Sequence, residues 1–166
     1  MEKILVSACL LGAKVRYHGG DAACAHPILQ RWLHEGRLVA VCPERDGGLP
    51  TPRPPAEIVG ADAGDGVVRR LAVVRTSAGA DVTDAFVRGA EVALDVVRRH
   101  AIRVAVLKEG SPSCASSFVY DGTFSATRTR GQGVTAALLQ ANGVRVFSED
   151  AVDAADAFLA QLEQES

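Results

Sequence analysis

The stretch Ile4-Leu5-Val6-Ser7-Ala8-Cys9 decides the reading of this chain. A short apolar run bounded by a loop reads as a buried strand, and here a cysteine follows it directly. Two more runs repeat the pattern. Leu38-Val39-Ala40-Val41 leads into Cys42, and Val104-Ala105-Val106-Leu107 lies a short loop ahead of Cys114. If the three runs are parallel strands of one sheet, their carboxyl ends lie side by side, and so do the three sulfurs. Ligands of open α/β sheets bind in the crevice outside those ends. Three thiolates there point to a soft-metal or iron–sulfur site with one coordination position left free.

Working outward, strands are expected at about 3–8, 38–42, 102–107 and 143–147, and helices at about 26–35, 82–100, 132–141 and from about 150. Strands alternating with helices imply parallel pairing with right-handed crossovers. The fold class is α/β: a single-domain Rossmann-like open parallel sheet over residues 1–166, in order 2-1-3-4, flanked by helices. Its switch point falls between the first and third strands, so Cys9 and Cys114 flank the crevice, with Cys42 beside Cys9. In the long helix, Asp81 or Thr83 can cap the start, and Phe86, Ala90, Ala93, Leu94 and Val97 share one face. Residues 43–55 carry five of the seven prolines and two adjacent glycines, an ordered loop rather than an element. Residues 56–80, with Val67 to Val74 among Gly60, Gly64 and Gly66, read as a small hairpin excursion at the sheet edge. Residues 108–131 read as a long polar loop. Trp32 is expected in the core.

Composition narrows the function. The chain has 166 residues, 48% hydrophobic and 23% charged, enough for one core without disulfide staples. Its net charge of −2 argues against a dedicated nucleic-acid or membrane surface. No apolar stretch is long enough to span a bilayer. Met1-Glu2-Lys3 leads straight into a strand without signal-peptide anatomy, so a cytoplasmic protein with reduced thiols is expected.

The loops after the strands hold the chemistry. The first runs from Cys9 through Gly12 to Val15-Arg16-Tyr17-His18. Six residues separate Cys9 from Arg16, one too many for the phosphate cradle of cysteine phosphatases. The second, Cys42-Pro43-Glu44 then Gly47-Gly48-Leu49-Pro50-Thr51-Pro52-Arg53, sets a carboxylate two residues from a thiolate. Like charges so close raise each other's pKa, so the pairing makes sense beside a cation, with Glu44 poised to accept a proton. The third, Lys108-Glu109-Gly110-Ser111-Pro112-Ser113-Cys114, surrounds a cysteine with hydroxyls able to donate to sulfur. The fourth, Gly131-Gln132-Gly133, precedes a helix whose N–H groups could hold an anion or polar heterocycle. Cys24 and His26 stand before a helix and not after a strand, so Cys24 reads as a bystander thiol. The residues alone leave three classes open: a thiolate-bound iron–sulfur enzyme, a metal-free redox or persulfide-handling protein using Cys9 or Cys114, and a zinc-binding module.

Together these motifs resemble the DUF523 family, whose characterised members are thiouracil desulfurases. The matching stretches are SACLLG with VRY at 7–17, CPE…GGLPTPR at 42–53, DVT..F at 81–86, LK..SPSC at 107–114, YDG.F at 120–124 and GVTAALL at 133–139. The resemblance implies a [4Fe–4S] cluster held by Cys9, Cys42 and Cys114, and catalytic roles for Glu44 and Ser111. Arg16, Tyr17, Arg53 and Ser113, in the same motifs, become the candidate substrate contacts. The implied chemistry is desulfuration of a thiolated nucleobase without net redox change, the excised sulfur remaining on the cluster. Two positions depart from the family pattern. Ala115 replaces a usual glycine, which bears on a backbone shape needing positive φ; His18 replaces a common aspartate, which bears on a substrate or loop contact.

Overall fold

All four residues of Ile4–Ser7 and all four of Val104–Leu107 are buried, which strands achieve only when helices cover both faces of their sheet. The computed structural model describes residues 1–165. In chain order its elements are β1 (Ile4–Ser7), α1 (Pro27–His34), β2 (Leu38–Val41), α2 (Pro43–Asp46), β3 (Ala56–Gly60), α3 (Ala63–Val68), β4 (Ala72–Thr76) and α4 (Thr83–His100). Then follow β5 (Val104–Leu107), β6 (Phe118–Tyr120), β7 (Arg128–Arg130), α5 (Val134–Ala141), β8 (Arg145–Ser148) and α6 (Val152–Glu165).

The main sheet is parallel in order β2-β1-β5-β8, which is the expected 2-1-3-4 with the small strands left out of the count. Ile4 pairs with Leu38 on one side and Val104 on the other. Period-two alternation then divides the core. Ile4, Val6, Val104 and Val106 pack against Leu29 and Trp32 of α1 and Val152, Ala155 and Leu159 of α6. Leu5, Ala105 and Leu107 face Ala93, Leu94 and Val97 of α4 and Ala136 and Leu139 of α5. Trp32 is fully buried, its indole N–H donating to Asp156 at 3.2 Å.

The helix boundaries have local causes. His26 stands at the N-cap of α1, its Nδ1 accepting from Ile28 N at 3.1 Å, and Pro27 occupies the first turn where no N–H is missed. At α4 the capping position is Val82. Asp81 acts from one residue further out, accepting from Thr83 N at 2.9 Å and from its hydroxyl at 2.6 Å, while that hydroxyl accepts from Val74 N.

Three stretches differ from the sequence reading. The excursion at 56–80 is an antiparallel pair, β3 with β4, but its connection is the helix α3, which takes Val67 into a third core cluster with Phe86 and Ala90. The pair also forms its own sheet rather than hydrogen-bonding to the edge of the main one. The stretch 108–131 is not all loop, since β6 and β7 pair within it. The proline-rich stretch opens with α2, because Pro43 suits a first helical turn as well as a loop.

The α2 backbone lies directly on α4. A Cβ added at Gly89 would stand 1.9 Å from the Pro43 carbonyl oxygen, and one at Gly47 would stand 2.0 Å from that of Ala85. Helix propensity alone favours Gly89→Ala by about 0.8–1.0 kcal/mol. The backbone overlap opposes it and wins, so Gly89→Ala is expected to lower unfolding free energy by about 1–3 kcal/mol in urea titration.

Candidate active site

β1, β2 and β5 end on one rim, and the segments that follow enclose a crevice of about 510 Å³. Cys9 enters it from a 3₁₀ turn directly after β1, Cys42 from the first residue after β2, and Cys114 from the loop after β5. All three are free thiols. Their environment suppresses ionisation. Burial, with smaller contributions from Cys42 and Glu149, pushes Cys9 up to about 11, and Arg16 and Lys108 only partly offset it. Burial pushes Cys114 up to about 12 against hydrogen bonds from the Ser113 and Ser7 hydroxyls. Burial also raises Cys42 against the Arg45 backbone N–H, with Glu44 adding to the rise and Arg53 opposing it.

Glu44, in the first turn of α2, points into the same crevice with its side chain 16% exposed. Arg53 Nε reaches its Oε1 at 3.3 Å. The Ser111 and Ser113 hydroxyls reach Oε2 at 3.3 and 3.1 Å, and lie 2.9 Å from each other. Ser111 Oγ already accepts the backbone N–H groups of Ser113 and Cys114 at 3.1 and 3.2 Å, so its own hydrogen is left to donate toward Glu44 or Ser113. Ser113 Oγ also lies 3.5 Å from the Cys114 sulfur. One carboxylate and two hydroxyls are thereby locked beside the Cys114 sulfur.

Arg53, with its side chain only 5% exposed, spends most of its donors inside the protein. Besides Glu44 it donates to the carbonyls of Pro50 and Val15 and to the Thr51 hydroxyl. It therefore ties the first crevice loop to the second and aims Glu44. Arg16 and Tyr17 line the crevice with no side-chain hydrogen bond among the described residues, leaving them free for a ligand.

Residues the sequence reading passed over hold the third loop. Glu109 accepts from the backbone N–H groups of Gly110, Ser116, Ser117 and Phe118 and from the hydroxyls of Ser116 and Ser117. Glu149 accepts from Glu109 N and from Lys108 Nζ, both at 2.8 Å, fastening that loop to the end of β8. The legible signal was an acidic residue ahead of a serine-rich turn, the composition that lets a carboxylate organise a loop.

Other candidates fall outside. Cys24 does not line the crevice and packs on the face shared by α1 and α6. The first N–H groups of α5 do not face the crevice either. Those of Val134, Thr135 and Ala136 donate to the carbonyls of Pro112 and Ser113, and Gly133 N donates to Ala115. Ala115 is fully buried without positive φ; the left-handed residue of this loop is Gly110, at φ 81°. His18 makes a loop contact, its Nδ1 accepting from Gly20 N at 3.0 Å as an aspartate oxygen would.

The donor set fits an iron–sulfur cluster. Three thiols, soft donors once deprotonated, line one crevice, with a serine hydroxyl beside one of them.

The fold and crevice define a Rossmann-like α/β protein built around three thiols, two buried and one half-buried, and a carboxylate. The family model for 2-thiouracil desulfurase matches residues 4–151, and the chain belongs to that family. It is 44% identical over 147 residues to the Bacillus subtilis (strain 168) protein YbbK, covering 89% of this chain and 95% of that one. It also matches the solved structure of a [4Fe–4S]-dependent thiouracil desulfidase, TudS, with TM-score 0.89 and 46% identity, over 97% of this chain and 99% of that one.

Burial opposes ionisation of Glu109, but the Ser117 N–H and the Ser116 and Ser117 hydroxyls outweigh it and hold the carboxyl below its ordinary 4.5. A carboxyl with a depressed folded pKa stabilises the fold above its unfolded value and loses that contribution as pH falls through the folded one. Glu109→Gln is thus expected to be less stable than the parent at pH 7, and the gap should narrow as pH falls below the ordinary 4.5 in parallel denaturant titrations.

Proposed function

We propose that this protein removes sulfur from a thiolated pyrimidine such as thiouracil, returning the oxo-pyrimidine without net redox change. The carrying observation is the Glu44 carboxylate, held by Arg53, Ser111 and Ser113 in the crevice that Cys9, Cys42 and Cys114 share. Cys9, Cys42 and Cys114 would hold a [4Fe–4S] cluster, which supplies a soft Lewis acid at the iron without a protein ligand.

This chain's residues supply the rest. Glu44 takes a proton from water as the oxygen bonds to the thiocarbonyl carbon. Arg53 keeps the carboxylate aimed through that transfer, and Ser111 and Ser113 steady the oxygen that gains the proton. The remaining hydroxyl proton passes to the sulfur as the carbonyl forms and the C–S bond breaks, so sulfur departs with the bonding pair as hydrosulfide, and Glu44 afterwards releases its proton to solvent. Water supplies the oxygen, so neither carbon nor sulfur changes oxidation level. Arg16 and Tyr17, free on the crevice wall, are the substrate contacts in this reading; Arg53 acts through Glu44. The metal-free thiol reading is less favoured, because thiols raised to about 11 and about 12 are weak nucleophiles at neutral pH.

Glu44→Gln keeps shape and polarity but accepts no proton. It is expected to load iron fully and lose turnover of 2-thiouracil by about 100-fold or more, measured with iron content on the same preparation. Full iron with parental turnover would remove Glu44 from the chemistry. Cys9→Ala, Cys42→Ala and Cys114→Ala are each expected to abolish cluster loading in anaerobic iron and sulfide analysis, and Cys24→Ala to leave it intact. Iron loss in Cys24→Ala would overturn the three-ligand assignment.

A further inference from the structure

The stretch Tyr120-Asp121-Gly122-Thr123-Phe124 has no part in the chemistry above, yet its turn reaches the crevice. It connects β6 to β7, and Phe124, Ala126 and Arg128 line the same cavity as the thiols. Two of these are held in an unfavourable backbone conformation. Phe124 has φ 57° and Ala126 φ 59°, the left-handed region that residues with a Cβ rarely adopt. Such strain persists only where the surroundings over-determine it.

Here the surroundings reach in from another element. Glu57 of β3 accepts at a single oxygen from Gly122 N at 2.9 Å and from Phe124 N at 3.2 Å. Gly122, at φ 91°, lies so close to β3 that an added Cβ would stand 2.7 Å from the Ile58 carbonyl oxygen. Within the turn, Asp121 accepts from Thr123 N and its hydroxyl, and the hydroxyls of Thr123, Ser125 and Thr127 link in series. None of this serves the core, since residues 123–130 are exposed. What the turn presents is flat surface. Phe124 stands 39% exposed, and the Arg128 guanidinium stacks on the Phe118 ring at 4.2 Å. Arg128 has no ion-pair partner among the described residues.

We propose that Glu57 is a positioning residue that acts through the 121–127 turn to hold Phe124 against a planar heterocycle in the crevice. It thereby sets how tightly the substrate is retained without touching the reacting atoms. The proposal rests on the thiolated-pyrimidine reading of the crevice. A flat, half-exposed aromatic ring at a fixed position suits stacking on a base, which is typically worth about tenfold or more in affinity. The one carboxylate oxygen is needed as an acceptor for two N–H groups, a task an amide oxygen can also perform.

The test uses iron-loaded protein, with 2-thiouracil kinetics and amide hydrogen exchange at Gly122 and Phe124. Glu57→Ala should raise KM about tenfold, leave kcat within about twofold and iron content unchanged, and speed exchange at both amides. Glu57→Gln should restore KM and exchange to parental values. Phe124→Ala should raise KM like Glu57→Ala, and the double variant should be no worse than either. Unchanged exchange in Glu57→Ala would overturn the proposal, because the turn would stand without Glu57. Faster exchange with unchanged KM would overturn it too, since the turn would then not bear on substrate. A Glu57→Gln variant as impaired as Glu57→Ala would replace it with a direct role for the charge. Parental protein that loads iron but does not consume 2-thiouracil would count against the desulfuration reading alone. The exchange arm would still decide whether Glu57 holds the turn.

Discussion

The site depends on backbone meeting backbone where Gly133 touches the loop of Cys114. A Cβ there would stand 2.5 Å from the carbonyl carbon of Ser113 and 2.8 Å from Cys114 N. Because hydrogen alone occupies that side, the start of α5 settles onto the loop and its N–H groups meet the loop's carbonyls. Gly64 of α3 closes on Gly133 from elsewhere, with 2.2 Å between its hypothetical Cβ and the Gly133 oxygen. Cys114 is thus fixed by main chain from two further elements. The Cys42 segment is fixed in the same manner, by the contact between α2 and α4. Side chains have rotamers to choose among; stacked backbones do not.

Electrostatics then treat the two kinds of acid in the crevice differently. At the thiols, desolvation outweighs the nearby Arg16, Lys108 and Arg53, and they remain protonated. At the carboxylates, directed hydrogen bonds surround Glu44 and Glu109 with donors. A guanidinium at a few ångströms offsets only part of the cost of burying an anion. A compact set of donors aimed at the same oxygens does better, as Glu109 illustrates.

How much of this was legible in the residues follows from the range of the forces involved. Ile4–Ser7 and Val104–Leu107 are buried on both faces, so their apolar runs announced both the strands and the rim on which Cys9 and Cys114 sit. Cys42 and Glu44 came with them, being covalently tied to a strand end. Glu57 and Glu149 could not be read in this way. Their partners lie 65 residues away at Gly122 and 40 away at Glu109, and nothing in their neighbourhoods marks them off from surface carboxylates. Arg53 was legible as a site residue but not as to what it does, since its partners belong to two loops. The small pair β6 with β7 escaped because Arg128–Arg130 is exposed on every residue and has no apolar alternation to betray it.

The high thiol pKa values carry a consequence for how the protein matures. The crevice is held in shape by Arg53, Glu109 and Glu149 and by stacked backbones, none of which calls on a sulfur. With Cys9, Cys42 and Cys114 as the proposed ligands, filling it with iron requires three protons to leave, since each must become a thiolate. Assembly is therefore a proton-releasing step, steeply opposed by acidification. Without that incoming positive charge, the same pocket keeps its sulfurs neutral and slow to react with oxidants.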